Sequence, residues 1–314
     1  MGKNQFADQL SGLRVVDPIL TNLARGYTNA DSIADIAFPI VGGLTLESSV
    51  YILFGKEAFR LYNTERAIRG NSNRIAPGKP SSDKYVMTEH DLEYPIDYRE
   101  DQDAAFALQK YATNLVVAGI QLRREKLAAD LACNPANYGA GNKLALAGDD
   151  CFSEPASDPV GVTQDGDEAL RSQIAKRSNI IIVGASTLSL WKKHPQFLAR
   201  IKSTENKVVT KAIIEEVLEK KIVVGEMIYT DDAGNAFDIW GDMMLMLYQP
   251  AAVTGQERTM YEPSYGYTFR KKNKPVVDTY VTNGGKVQLI RNTDLFDLKI
   301  VGADAGYLVT NTKK

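Results

Sequence analysis

The side chains able to do chemistry are few and scattered. Two histidines, His90 and His194, and two cysteines, Cys133 and Cys151, are the whole supply of imidazoles and thiols. A zinc site needs such ligands clustered, and a disulfide framework needs more cysteines than this. His194 lies in Trp191-Lys192-Lys193-His194-Pro195, which offers a general base neither a nucleophile nor an orienting carboxylate. His90 sits among charged residues and has the same reading. Nucleophile-elbow, Walker A, dinucleotide and zincin patterns are absent. Gly139-Ala140-Gly141-Asn142 echoes a phosphate loop but follows a helix end, so a tight turn is predicted. Asp231-Asp232-Ala233-Gly234-Asn235 lacks the bidentate Glu of a calcium loop and is predicted as a hairpin turn. The Met243–Met246 run reads as core, and the cluster from Arg270 to Lys274 as a solvated loop rather than a phosphate-binding patch. No catalytic, cofactor-binding or metal-binding residue is predicted.

The charge pattern says more. Residues 55–75 carry Lys56, Arg60, Arg66, Arg69 and Arg74 against Glu57 and Glu65. Residues 89–103 carry Glu89, Asp91, Glu93, Asp97, Glu100, Asp101 and Asp103 against Arg99 alone. A formal net charge of −2 gives no overall pull on nucleic acid, although a protein that only surrounds DNA needs none. The blocks could pair within one chain or between copies. The tract from Arg60 to Lys84 holds Gly70, Pro77, Gly78 and Pro80 but few large apolar residues, so no core of its own can hold it. Connections of that length are normally functional. The expectation is a projecting hairpin that pairs with an identical chain, its charges setting register and partner choice. Head-to-tail contacts of that kind close into rings.

The elements that must position these blocks follow from periodicity. Residues 1–45 read as an arm, with a short amphipathic turn at Asp17–Ala24 and an extended apolar strip at Ile36–Val41. Val50–Phe54 is strand-like, with Tyr85–Met87 and Asp91–Ile96 as the return path of the hairpin. From residue 100 to 133, Leu108, Tyr111, Ala112, Leu115, Gly119 and Leu122 recur at helical spacing, widened by Val116 and Ile120. This predicts one long helix, ended by Asn134-Pro135. A short helix at Asp167–Arg177 follows. Residues 179–250 alternate strand and helix, with Ser186 as a cap and His194-Pro195 splitting a helix. Strands are predicted at Tyr265–Arg270, Val276–Val281, Val287–Arg291 and Tyr307–Thr310, with a hairpin turn at Thr282-Asn283-Gly284-Gly285. No stretch is apolar enough to span a membrane and no secretory leader is visible, so a cytosolic protein without a membrane partner is expected.

This order of parts resembles the Hong Kong 97-like fold of tailed-bacteriophage major capsid proteins. Local strings resemble one branch of that family: Ala34-Asp35-Ile36-Ala37-Phe38-Pro39, Phe54-Gly55-Lys56-Glu57-Ala58-Phe59-Arg60, Thr64-Glu65-Arg66-Ala67, Asn134 to Lys143, Asp238-Ile239-Trp240-Gly241 and Ser264-Tyr265-Gly266-Tyr267-Thr268-Phe269. The resemblance implies an α+β fold with an N-terminal arm (1–45), an extended loop hairpin (46–96), a peripheral domain with a long spine helix (97–178 and 264–314) and an α/β axial domain (179–263). It implies a non-enzymatic virion subunit, assembled in the host bacterial cytoplasm as hexamers and pentamers around double-stranded DNA that is not read for sequence. Portal, scaffolding and cement proteins are the partners it suggests. Inter-subunit contacts are expected at Lys56, Arg60, Arg66, Arg69, Arg74, Glu89, Asp91, Glu93, Asp97, Glu100 and Asp101. The alternatives are an encapsulin-like nanocompartment shell or an enzyme built on the α/β subdomain.

Overall fold

The computed structural model describes residues 32–53, 59–66, 68–75, 81–103, 107–201, 209–250 and 258–314. The amphipathic turn expected at Asp17–Ala24 and the site residue Lys56 lie outside the described residues.

A helical turn, α1 (Ala34–Ala37), leads into β1 (Ile40–Leu44), then β2 (Ser48–Ile52), β3 (Ser82–Val86), β4 (Thr88–Asp97), α2 (Tyr98–Asp103) and α3 (Leu108–Ala132). The middle of the chain forms β5 (Lys143–Ala145), α4 (Pro159–Ile174), β6 (Ile180–Gly184), α5 (Ala185–Lys193), α6 (Pro195–Ile201) and α7 (Lys211–Leu218). It continues through β7 (Lys221–Gly225), β8 (Ile228–Thr230), β9 (Ala236–Asp238) and β10 (Met243–Leu247). The last strands are β11 (Gly266–Lys271), β12 (Val276–Thr282), β13 (Val287–Ile300) and β14 (Gly306–Thr310).

One sheet is organised on β13. β4 runs antiparallel along one side of it, from Val287 opposite Asp97 to Phe296 opposite Thr88. β12 and β11 share the other side in tandem, and β1 adds parallel to β11. The apolar strip expected in the arm therefore lies on its own body, with Phe38 buried against Tyr265. β13 runs well beyond the strand expected at 287–291. It does so through buried Asn292, Thr293 and Asp294, because Arg270 donates to both carboxylate oxygens of Asp294. Opposite, Arg291 makes the same two-pronged contact with Asp278, at 3.2 and 2.8 Å. Buried carboxylates are tolerated when a guanidinium meets them in this way.

The second sheet has the order β5-β14-β10-β6-β7. Every residue of β10 is buried, because helices or strands cover both faces. Met244 and Met246 face α4, α5 and α7 through Leu170, Leu188 and Ile214. Met243, Leu245 and Leu247 face the other way, onto Ile120, Ala128 and Trp240. Parallel β6 and β7 are joined by a helical crossover, split at His194-Pro195 as expected. Ser186 does not cap α5; its hydroxyl goes to Asp242 instead. β5 and β14 lie in this sheet, although residues 143–145 and 306–310 fall in the segments 97–178 and 264–314 assigned to the peripheral domain. No described helix is long and apolar enough to cross a membrane.

The long helix is shorter than expected, and only part of the expected stripe is buried. Residues 98–103 and 108–132 are separate helices, and α3, with 25 residues, is about 37 Å long. Its core side carries Ala112, Val116, Ile120, Ala128 and Ala132. Tyr111 and Leu115, from the expected apolar stripe, are 48% and 44% exposed. The helix thus has more apolar surface than its own core uses.

Candidate functional site

Among the described residues β2 and β3 pair with each other alone and form the stem of the finger. Tyr51 and Tyr85 share one face of the stem and pack on Phe269, with ring centroids 5.2 and 4.5 Å away. The Tyr51 hydroxyl donates to Asp83 at 3.1 Å. The Lys84 backbone N–H and that hydroxyl hold the Asp83 carboxyl below its ordinary range. The stem joins the body where Val86 N–H donates to Asp297 at 2.9 Å. The expected return path splits here: β3 belongs to the finger, but β4 belongs to the body sheet.

Beyond the stem the finger organises itself with a few local bonds. The Asn73 side-chain amide donates to the carbonyls of Asn63 and Glu65, at 2.8 and 2.9 Å. Arg66 donates to the Gly70 carbonyl at 2.8 Å, across a turn in which Arg69 has φ of +66°. Arg60 lies 5.6 Å from the Tyr62 ring centroid. Among the described residues, the hydrogen bonds of residues 60–75 all stay within the finger. Phe59, beyond the stem, lines an apolar cavity of about 420 Å³ together with Ile174, Tyr248, Pro263 and Ala305 of the body.

The acidic block takes a different form from the basic one. β4 is an edge strand whose side chains alternate between two faces. His90, Leu92 and Tyr94 turn toward α3 and the Phe296 side. His90 stacks on Phe296 at 4.3 Å, Tyr94 meets Tyr111 edge-on at 6.2 Å, and Leu92 fills the notch left by Gly119. Glu89, Asp91 and Glu93 alternate with these and are exposed, while Asp97 is half-buried and accepts from Arg99 N–H at 3.0 Å. Glu93 accepts from the Tyr280 hydroxyl at 2.7 Å, and Glu100 and Asp101 lie exposed on α2. Among the described residues, no salt bridge joins Arg60, Arg66, Arg69 or Arg74 to any of these carboxylates. Among the described residues, the contacts of their cationic groups are those already given within the finger. The basic cluster at 270–274 is largely committed elsewhere, Arg270 to Asp294 and Lys271 to Glu47.

Charge reasoning passed over two features. The finger is not merely hydrophilic: Leu61 and Ile68 are 97% and 93% exposed, and Val50, Phe59, Ile75 and Val86 are also exposed. These residues are visible in the sequence as lone apolar positions among polar ones. The second feature is a clasp on α3. Glu125 is fully buried and accepts from Ser32 Oγ (2.8 Å), Ile33 N (3.2 Å), Ala34 N (2.9 Å) and Trp240 Nε1 (2.6 Å). Its neighbour Arg124 pairs with Asp35 at 2.9 Å. The carboxylate thereby fastens the start of α1 to the long helix and to the loop before β10.

The α/β subdomain does hold one pair that resembles a catalytic one. Buried His194 places Nε2 3.1 Å from Ser157 Oγ and 3.3 Å from the Glu154 carbonyl. Its Nδ1 accepts from Gln196 N–H at 3.3 Å. With Nδ1 accepting, Nε2–H is the donor to Ser157 Oγ, which itself donates to the Glu154 carbonyl at 2.8 Å, so the pair as placed is a buried hydrogen bond rather than a base poised on a nucleophile. Burial, more than any nearby charge, holds its pKa below the ordinary histidine value. Below about pH 6.5 the unfolded chain therefore binds a proton that the folded chain resists, and stability falls as pH drops through that window. His90, also lowered by burial, acts in the same sense. Melting temperatures taken from pH 8 to pH 5 are expected to decline below about pH 6.5. His194→Asn should flatten part of that decline, and a level profile in the unaltered protein would contradict the account.

No protein-family model matches the chain. It is 50% identical over 303 residues to the major capsid protein of Burkholderia phage BcepMu, covering 96% of this chain and 98% of that one. It is 31% identical over 217 residues to the major capsid protein of Pseudomonas phage JBD67, covering 67% and 68%. Among solved structures, a phage-related protein of Bordetella bronchiseptica RB50 matches with a TM-score of 0.79 and 31% identity, covering 95% and 98%.

Proposed function

Since the chain belongs to the major capsid proteins of bacteriophages and has their Hong Kong 97-like α+β fold, we propose that it closes into an icosahedral head of hexamers and pentamers around double-stranded DNA. It is a structural subunit of the phage capsid. The observation that carries the finer reading is the finger, which is rooted on the body by a two-stranded stem and beyond that stem keeps Arg60, Arg66, Arg69, Arg74, Leu61 and Ile68 in solvent. A lone chain gains nothing from such a surface, whereas a ring of copies buries it many times over.

In this reading residues 1–45 are the arm and the extended loop lies within 46–96. The peripheral domain is drawn from 97–178 with 264–314, and the axial domain from 179–263, with β5 and β14 completing the axial sheet. Arg60, Arg66, Arg69 and Arg74, with Lys56, form the basic side of a contact between copies. Glu89, Asp91, Glu93, Asp97, Glu100 and Asp101 form the acidic side. Portal, scaffolding and cement proteins are the other partners, and assembly takes place in the host bacterial cytoplasm. No catalytic role is proposed: Ser157 and His194 are buried and their hydrogen bonds go to each other, to the Glu154 carbonyl and to Gln196 N–H. An encapsulin-like shell is the second reading, and the 50% identity to a phage capsid protein favours the first.

The test is assembly itself. Chain co-expressed with its candidate scaffolding protein is expected to give closed megadalton particles in sedimentation and negative-stain microscopy. A monodisperse monomer under every assembly condition would refute the shell. Nuclease-protected DNA inside particles from induced cells favours the phage head, and an enclosed cargo enzyme the nanocompartment.

A further inference from the structure

Phe59 alone, among the described residues of the finger, lines the apolar cavity of about 420 Å³. The other walls come from separate segments of the same chain's body: Ile174 and Ala175 at the end of α4, Tyr248 after β10, Pro263 before β11 and Ala305 before β14. The hydrogen bonds of residues 60–75 stay within the finger, so among the described residues no polar contact ties that stretch to the body. Phe59 is nevertheless 58% exposed. The cavity has room for a phenyl ring, and its walls are mainly carbon, a lining that gives water few hydrogen-bond partners. An exposed ring beside an unfilled apolar cavity gains free energy by entering it.

We infer that this cavity is the seat of the chain's own Phe59 ring, which moves in to strap the foot of the finger to the body and moves out to let the finger pivot on β2 and β3. Phe59 is already at the wall, whereas Leu61 and Ile68, also exposed, line no part of the cavity. The seat lies where the two sheets meet. Tyr248 and Ala305 flank β10 and β14 of one, and Pro263 leads into β11 of the other. A strap at that junction couples the direction of the finger to the body that carries it. The contact is made within one chain and does not depend on the shell. In a chain that assembles, a strapped foot reduces the freedom that the finger loses on binding.

Limited trypsin digestion of the unassembled chain tests the strap. Arg60 follows Phe59 directly, and Arg74 reports on the finger away from the seat. A protease cuts a packed segment only when it opens locally. Ile174→Ala thins the wall of the seat without altering the finger. It should speed cleavage after Arg60 roughly tenfold, the ratio that matches loss of part of one aromatic side chain's burial, and leave cleavage after Arg74 unchanged. Phe59→Ser, at an exposed position that the fold tolerates, should do the same. A second readout is independent of the protease. Trp191 and Trp240 are both buried, so Phe59→Trp adds an indole whose quenching by acrylamide can be followed against a shielded background. That indole should be shielded in the otherwise unaltered chain and open once Ile174→Ala is added. Equal cleavage after Arg60 in the unaltered chain and both variants, or an indole at position 59 as open to acrylamide as free tryptophan, overturns the seat. Neither result bears on whether particles form, so the shell reading stands or falls separately.

Discussion

Glu125→Ala is expected to cost the chain about 3–5 kcal/mol, the range seen when a buried charged partner is removed from its hydrogen-bond network. The carboxylate is fully buried on α3 and takes four donors from two distant parts of the chain: Ser32 to Ala34, and Trp240. Truncation leaves the indole N–H of Trp240 and two backbone N–H groups without an acceptor in a site closed to water. Each orphaned group carries its own desolvation cost of about 1–3 kcal/mol, and the lost volume adds a cavity. Glu125→Gln is expected to do less damage, since one amide oxygen can still serve part of the set while its NH₂ confronts the remaining donors. Chemical denaturation of the soluble chain measures both variants. A change below about 1 kcal/mol for the alanine variant would mean that the clasp is not what holds α1 to α3. Asp35→Asn, which weakens only the half-exposed pair with Arg124, should cost far less.

That clasp also marks where sequence reasoning stops. A glutamate and an arginine side by side on a helix look like solvated surface, and only the fold brings Trp240 and the start of α1 to them. The same limit makes the expected helix face too wide. Tyr111 and Leu115 obey helical periodicity as well as Val116 and Ile120 do, but periodicity cannot tell a stripe facing the chain's own sheet from one left outside it. β13 was cut short because Asn292, Thr293 and Asp294 look like a strand end until Arg270 is placed against Asp294. Strands β6, β7 and β10 were plain because they are continuous apolar runs, and the α5–α6 break because Pro195 cannot continue a helix. The start of α4 was readable and missed: Asp158 accepts from Gly161 N–H at 2.8 Å and Pro159 occupies the first turn. The basic and acidic blocks were legible as blocks. That one is a loop tip and the other an alternating edge strand was not, because register along β13 is set by contacts two hundred residues away.

Arg66→Glu/Arg69→Glu/Arg74→Glu should abolish assembly while leaving the chain folded. The three side chains are exposed, and among the described residues only Arg66 holds a partner, the Gly70 carbonyl, so stability should move by no more than about 0.5 kcal/mol per position. In the proposed contact between copies the same change would set three carboxylates against Glu89, Asp91 and Glu93, and like-charge juxtaposition across an interface costs several kcal/mol per contact. Because every copy repeats the contact, a deficit that a single dimer could survive stops a closed shell. Raising the salt concentration should weaken assembly of the unaltered chain in the same direction, since exposed charges are screened within about 10 Å at 0.1 M. The decisive arm is the exchange. Glu89→Lys/Asp91→Lys alone should also fail, and the combined variant, with both blocks reversed, should regain particles. Glu93 is left in place because it accepts from the Tyr280 hydroxyl. Normal particles from the finger variant would remove the electrostatic contribution altogether. Failure of the combined variant, with both parents folded, would mean that the basic finger docks elsewhere than the acidic edge. Recovery would tie the two blocks to each other across copies, since among the described residues no salt bridge joins them within one chain.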